Sequence, residues 1–231
     1  MSSKNKKDIE ATYTFMKNVY LGNWEYRWKG TPHMRNMIKN KKRESILAHE
    51  LACMGFWFNL KRICPNLSKL VDSEKIYEIL WGHDLGEIFA GDVSQTLQIQ
   101  GRGKNKQHTE RQEIIKMAGK IPAKTLKTLL KNFDDFENYN ETEDINVLVC
   151  KFIDNVQGNH FGVVFGNDHK INSDLINKIL NRSFIKNARR LLEVLKNKGH
   201  KKAYKEVKSV AEYLIYLFKK SGTELKLDKT C

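Results

Sequence analysis

An all-α fold, one domain closed by a C-terminal helical extension, is what the sequence predicts, on three observations. The 231 residues include only 3 prolines, so few positions break a helix. Long segments rich in Leu, Ile, Lys and Glu repeat their apolar residues every three to four positions, the period of an amphipathic helix. Hydrophobic residues make up 40% and aromatics 10% of the chain, ordinary for a globular protein of a length that buries a substantial core. The core is expected over about residues 8–165, with helices over about 172–220 completing or extending it.

Residues 8–21 read as a first helix with Ile9, Tyr13, Met16 and Tyr20 on its inward face, ended by Gly22. Asn23 to Asn36 breaks the period and crowds aromatics with arginines, as a loop does. Arg43 to Arg62 is apolar nearly all round and reads as a central, buried helix. One of its stripes is Leu47, Leu51, Met54 and Phe58. The other is Ile46, His49, Cys53, Phe56 and Leu60, which places a histidine on a buried face. A lone histidine there is a hydrogen-bonded core residue unless a second cluster meets it.

Ser73, as N-cap, opens a helix whose inward stripe is Ile76, Ile79, Leu80 and His83, with Glu87 a turn beyond. Gln100 to Gln107 reads as a flexible basic loop near Asp92. His108 to Ala118 and Ala123 to Phe133 are two shorter helices, and Asp134 to Asp144 an acidic turn. Glu143 to Val156 is a helix with Ile145, Leu148, Val149 and Phe152 facing the core. Asp154 lies on an adjacent apolar stripe, turned either to solvent or to a partner that rewards its burial. Ser173 to Lys198 and Lys201 to Lys220 are the last helices. On the final one Val210, Leu214, Leu217 and Phe218 can close the core or a homodimer interface.

Several classes are excluded. No apolar run is long enough to span a bilayer, and the N-terminus lacks the apolar stretch of a signal peptide, so a cytoplasmic protein without a membrane partner is expected. Cys53, Cys64, Cys150 and Cys231 show no CxxC spacing, which points to reduced structural thiols and no zinc finger. The net charge of +14 suits nucleic acid, an anionic small substrate or a lysine-rich soluble surface. Spread over most segments, it favours the solvated surface, with nucleic acid as the lesser reading.

The chemistry concentrates in Trp81 to Asp92, where His83, Asp84, Glu87 and Asp92 stand among apolar residues and glycines. Burying several ionisable groups costs several kcal/mol per unpaired charge, as an order of magnitude, unless a metal, a hydrogen-bond network or catalysis compensates. His49, His83, Asp84 and Asp154 are two imidazoles and two carboxylates, a set compatible with one divalent Mn, Co, Fe, Mg or Zn and selective for none.

His49, then His83-Asp84, then Asp154 resembles the HD superfamily of metal-dependent phosphohydrolases. Glu44-Ser45-Ile46-Leu47-Ala48-His49, the run from His83 to Val93, His108-x-Glu110-x-x-Glu113 and Lys151-Phe152-Ile153-Asp154 narrow the resemblance to the small HD-domain 5′-deoxynucleotidases, over roughly residues 10–165. The resemblance implies an HD-domain helical bundle in which His49, His83, Asp84 and Asp154 bind the single metal. Glu87 would orient or deprotonate the attacking water, and Asp92 would contact the sugar or assist the leaving oxygen, where a bland reading makes it a turn residue. Arg27-Trp28 matches the family's Arg-Trp pair, arginine on the phosphate and tryptophan against sugar and base. A nucleotide is therefore the expected substrate, a 5′-monophosphate first and a dNTP second, with a basic nucleic-acid-binding protein as a third reading. Arg35 is a competing arginine, and Ser94-Gln95-Thr96 replaces the family's proline-bearing continuation.

Overall fold

The computed structural model describes residues 3–28, 43–93, 97–98, 103–166, 173–219 and 227. Among these the chain is helical, with one antiparallel bridge between Tyr26 and Ser45, so the predicted all-α class holds. Helix α1 spans Ser3–Tyr20 and runs into a 3-10 turn at Leu21–Asn23. Its orientation is opposite to the one predicted. Ile9, Tyr13, Met16 and Tyr20 are 45–67% exposed, while Phe15 is buried against Trp81 and Asn18 Nδ2 donates to the carbonyl of Met117 at 2.8 Å. Helical periodicity shows that a stripe exists, not which of two stripes meets the core.

The turn after α1 lies close on its neighbours, since a Cβ at Gly22 would stand 3.0 Å from Ile88 Cδ1 and 3.1 Å from Leu47 Cγ. Helix α2, Ile46–Ile63, starts where Ser45 Oγ accepts from the Ala48 N–H. Ile46, His49, Cys53, Trp57 and Leu60 are buried, whereas Leu51, Phe58 and Ile63 are exposed. It is thus amphipathic rather than buried all round. The one-turn α3, Pro65–Ser68, follows.

Helix α4 spans Ser73–Gly82, and its N-cap is Asp72, not Ser73: Asp72 Oδ1 accepts from the N–H groups of Glu74 and Lys75. The helix stops before His83, the chain turns, and a short α5 covers Glu87–Ala90. Glu87 therefore sits on a new element, not one continuous turn beyond His83. Helix α6, Lys106–Ala118, begins earlier than predicted and takes Lys106 out of the expected basic loop, part of which lies outside the described residues. Helices α7, Ala123–Glu137, and α8, Ile145–Gly166, are both longer than predicted.

The predicted helix 173–198 is α9, Ser173–Leu180, a π turn at Asn181–Ile185 and α10, Lys186–Asn197. Helix α11, Lys201–Lys219, buries Ala203, Val207, Ala211, Ile215 and Phe218. Of the predicted face only Phe218 is fully buried, and Leu217 is 40% exposed. The Glu206 carboxylate of α11 accepts from the N–H groups of Asn66 and Leu67, which ties the C-terminal helices to α3. Cys53, Cys64 and Cys150 are buried free thiols, and Cys231 lies outside the described residues. No helix among the described residues is long and apolar enough to cross a membrane.

Two apolar clusters form the interior. The larger joins α2, α4 and α8 to α9, α10 and α11. The smaller joins α1, α5, α6 and α7. The helix carrying His49 contributes Ile46 to the smaller and Cys53 to the larger, and the chain around His83-Asp84 likewise contributes Leu85 and Leu80. The polar residues of interest thus stand at the seam between two cores.

Candidate metal centre

Each histidine at the seam is turned by a bond on its far side. Helix α4 ends where His83 Nδ1 donates to the Leu80 carbonyl at 2.9 Å, which leaves Nε2 bare. On α2, His49 Nδ1 is bonded to Gln157 Oε1, which directs the His49 Nε2 inward. The two Nε2 atoms then face each other at 3.2 Å. From α8, Asp154 Oδ1 approaches to 3.3 Å from His49 Nε2 and 3.9 Å from His83 Nε2. Asp84 Oδ2 lies 3.5 and 3.6 Å from the same two nitrogens and is buried with no hydrogen-bond partner.

His49, His83 and Asp154 each offer a ligand atom within 4.8 Å of the others. Two bare nitrogens facing two carboxylates at these separations repel pairwise within each set unless a cation or a proton lies between them. Donors about 2.1 Å from a common ion stand roughly 3.0–3.4 Å apart in tetrahedral or octahedral arrangements, close to the shortest contacts here. The donor set therefore fits a divalent cation. The fourth expected ligand, Asp84, is brought to the same two nitrogens.

The electrostatics follow from burial and neighbours. Burial favours a neutral Asp84, but His83, Arg27 and His49 together hold its carboxyl down at about 2. Asp154, partly buried, is held well below the usual carboxylate range by Lys151, 3.4 Å away, and by the histidines. Burial lowers His83. For His49, burial and Arg27 oppose a proton, but Cys53 and the bond to Asp154 raise the pKa well above the ordinary imidazole value.

The remaining predicted residues surround this set. Glu87 is buried, and burial with the nearby Asp84 charge raises its pKa well above normal, with Lys106 acting in opposition. The Lys106 ammonium lies 2.9 Å from Glu87 Oε1 and 2.7 Å from Glu110 Oε1. The sequence reading missed this role for Lys106, because a run of lysines and glycines carries charge but not the identity of its partners. It missed Glu50 as well, the residue after His49, whose two oxygens are buried without a hydrogen-bond partner.

Arg27 Nη2 is 3.9 Å from Asp84 Oδ2, while Nε and Nη1 are buried and unpartnered. Trp28 takes φ of 70°, the only described non-glycine residue with positive φ. Its N–H donates to Asp92 Oδ2 at 2.6 Å, its indole Nε1 donates to Glu44 Oε2 at 3.0 Å, and its ring edge approaches Gly158. Asp92 is thereby placed on the Arg27-Trp28 loop. Arg35 and Ser94 to Thr96 lie outside the described residues.

Comparison with known proteins bears on the fold and the family. A predicted metal-dependent phosphohydrolase from Magnetospirillum magnetotacticum MS-1 has a solved structure that matches at a TM-score of 0.66, covering 96% of this chain and 98% of that one. At 15% identity the likeness is one of fold. No curated protein matches. Residues 33–190, which contain His49, His83, Asp84 and Asp154, match the HD domain family, and the chain belongs to that family.

Proposed function

We propose that the protein is a metal-dependent phosphohydrolase that removes the 5′-phosphate from (deoxy)nucleoside monophosphates, with His49, His83, Asp84 and Asp154 holding one divalent cation. The observation that carries the reading is Arg27. A guanidinium with two buried N–H-bearing nitrogens left unpartnered, beside a cation-binding set, is a fork awaiting phosphate oxygens.

A bound divalent cation supplies Lewis-acid polarisation of a phosphoryl oxygen and lowers the pKa of water. The rest falls to the chain. Arg27 holds and orients the phosphate. Glu87, held by Lys106, orients the attacking water and accepts its proton in the ionised form, which the Lys106 ammonium favours against burial. Water adds to phosphorus, the bond to the 5′ oxygen breaks, and that oxygen leaves as a hydroxyl after taking a proton from solvent. Trp28 and Asp92 would line the sugar side.

A triphosphate substrate would call on the lysines of residues 101–107 to neutralise added charge. Lys106 already serves Glu87 and Glu110, which favours the monophosphate. The test is a screen of nucleoside mono- and triphosphates with Mn, Co, Mg or Zn supplied, together with metal analysis of the purified protein. Phosphate release from monophosphates is expected. Triphosphate release from dNTPs, or no release from any nucleotide, overturns the proposal.

A further inference from the structure

Behind His49 runs a continuous chain of hydrogen bonds whose direction can be assigned. A carboxylate only accepts, so Glu44 Oε1, 2.6 Å from Gln157 Nε2, fixes which way the Gln157 amide points. Its Oε1 must then face His49, and Nδ1 must carry the proton that makes that bond. In the neutral ring the lone pair is thereby placed on Nε2, toward His83 and Asp154. The other Glu44 oxygen accepts from the Trp28 indole at 3.0 Å, and the Glu44 carbonyl accepts from the Arg27 N–H at 2.9 Å. Glu44 is 3% exposed and His49 fully buried, so water does not readily stand in for a missing member.

We infer that Gln157 and Glu44 are positioning residues that couple the His49 ring to the Arg27-Trp28 loop, so that seating a cation on His49 sets the pose of the loop. A cation at Nε2 makes Nδ1–H a stronger donor, tightens Gln157 on His49 and thereby fixes the carboxylate that Trp28 is bonded to. Assigning that loop to the substrate rests on the proposed function. The coupling of His49 to Trp28 does not.

The donor order suggests a test by exchange. Gln157→Glu keeps an acceptor for His49 Nδ1–H but sets two carboxylates against each other, cutting the chain at one bond. Adding Glu44→Gln restores it: the amide at position 44 donates to the new carboxylate and accepts from Trp28. Zn²⁺ titration followed by tryptophan fluorescence reads the coupling, with Trp28→Phe assigning the signal among the four tryptophans. Zn²⁺ binding is measured separately by equilibrium dialysis.

In the unaltered protein Zn²⁺ should change the Trp28 emission. Gln157→Glu, which cuts the same coupling, should lose that response even at saturating Zn²⁺ and bind Zn²⁺ several-fold more weakly, and its KM for a nucleoside monophosphate should rise about tenfold with a smaller change in kcat, as loss of a buried hydrogen bond implies. The exchanged pair should regain all three. Coupling is reciprocal, so Trp28→Phe should itself weaken Zn²⁺ binding by several-fold, a readout that survives if Gln157→Glu does not fold. An unaltered protein without a Zn²⁺ response, a single variant that responds normally, an exchange that fails to rescue, or unchanged Zn²⁺ affinity in Trp28→Phe each overturns the inference. Rescue of the fluorescence response in a protein that hydrolyses no nucleotide would sustain the coupling and defeat the proposed function.

Discussion

Lys106→Met keeps the apolar stem of the side chain and deletes the ammonium that bridges Glu87 and Glu110. The side chains of those two residues are 4% and 2% exposed, so solvent does not replace the lost cation. Removing one member of a buried ion pair costs about 3–5 kcal/mol, and here one cation serves two anions. Burial already raises both carboxyls, Glu110 to about 7 from its ordinary 4.5 even with Lys106 pulling it down, and in the variant both rise further. A carboxyl with a folded pKa above its unfolded value favours folding below the unfolded value and loses that contribution as pH rises through the folded one. The deficit should therefore be smallest at low pH, where the carboxyls are protonated with or without Lys106, and should grow as pH rises through about 7, where Glu110 gives up its proton in the unaltered protein. About 3 kcal/mol corresponds to roughly 6–12 °C in Tm for a chain of this length. Urea unfolding and thermal melts at several pH values, beside the unaltered protein, measure it. A deficit equal at low and high pH, or below about 1 kcal/mol at pH 8, refutes the assignment of Lys106 as the shared counter-charge.

Other consequences are as direct. Glu87→Gln should retain the cation and substrate affinity but lose about 10²–10⁴ in kcat, seen by metal analysis and steady-state kinetics on one preparation. Asp154→Asn should weaken divalent-cation binding by more than about tenfold, since loss of outer partners alone reaches that size, and should abolish the rise in Tm on adding metal. Gly86→Ala would bring a Cβ to 2.6 Å from the Glu110 Cβ and carbonyl oxygen, forcing α6 away from α5. It should cost about 1–3 kcal/mol in urea unfolding and disturb the Glu87-Lys106-Glu110 contact.

Helix identity was legible because each long segment repeats its apolar residues, and the ligand types were legible because histidines and aspartates are costly on apolar stripes. Direction was not. Ile9, Tyr13, Met16 and Tyr20 are as periodic as a core stripe, yet Phe15 and Asn18 on the other side are what α6 and Trp81 receive. Helix α2 looked uniformly apolar, and only its packing separates buried Trp57 from exposed Phe58. Lys106 and Gln157 carry no local signal at all, since the need for each arises from groups far away in sequence: two buried carboxylates for one, an imidazole and Glu44 for the other. Helix ends went astray where a neighbouring polar residue, Asp72 beside Ser73, offered the same capping chemistry.

The left-handed backbone of Trp28 bears on how this loop can drift under mutation. A non-glycine residue there costs about 1–2 kcal/mol, and glycine would be spared it. The indole bond to Glu44 and the amide bond to Asp92 hold the residue in place against that strain. Glycine would relieve that strain but leave Glu44 Oε2 without its indole donor, a loss of about 1–3 kcal/mol where water does not reach. Trp28 is thus a position where backbone comfort and side-chain bonding point in opposite directions, and the strain is tolerated because the same residue ties Glu44 to Asp92.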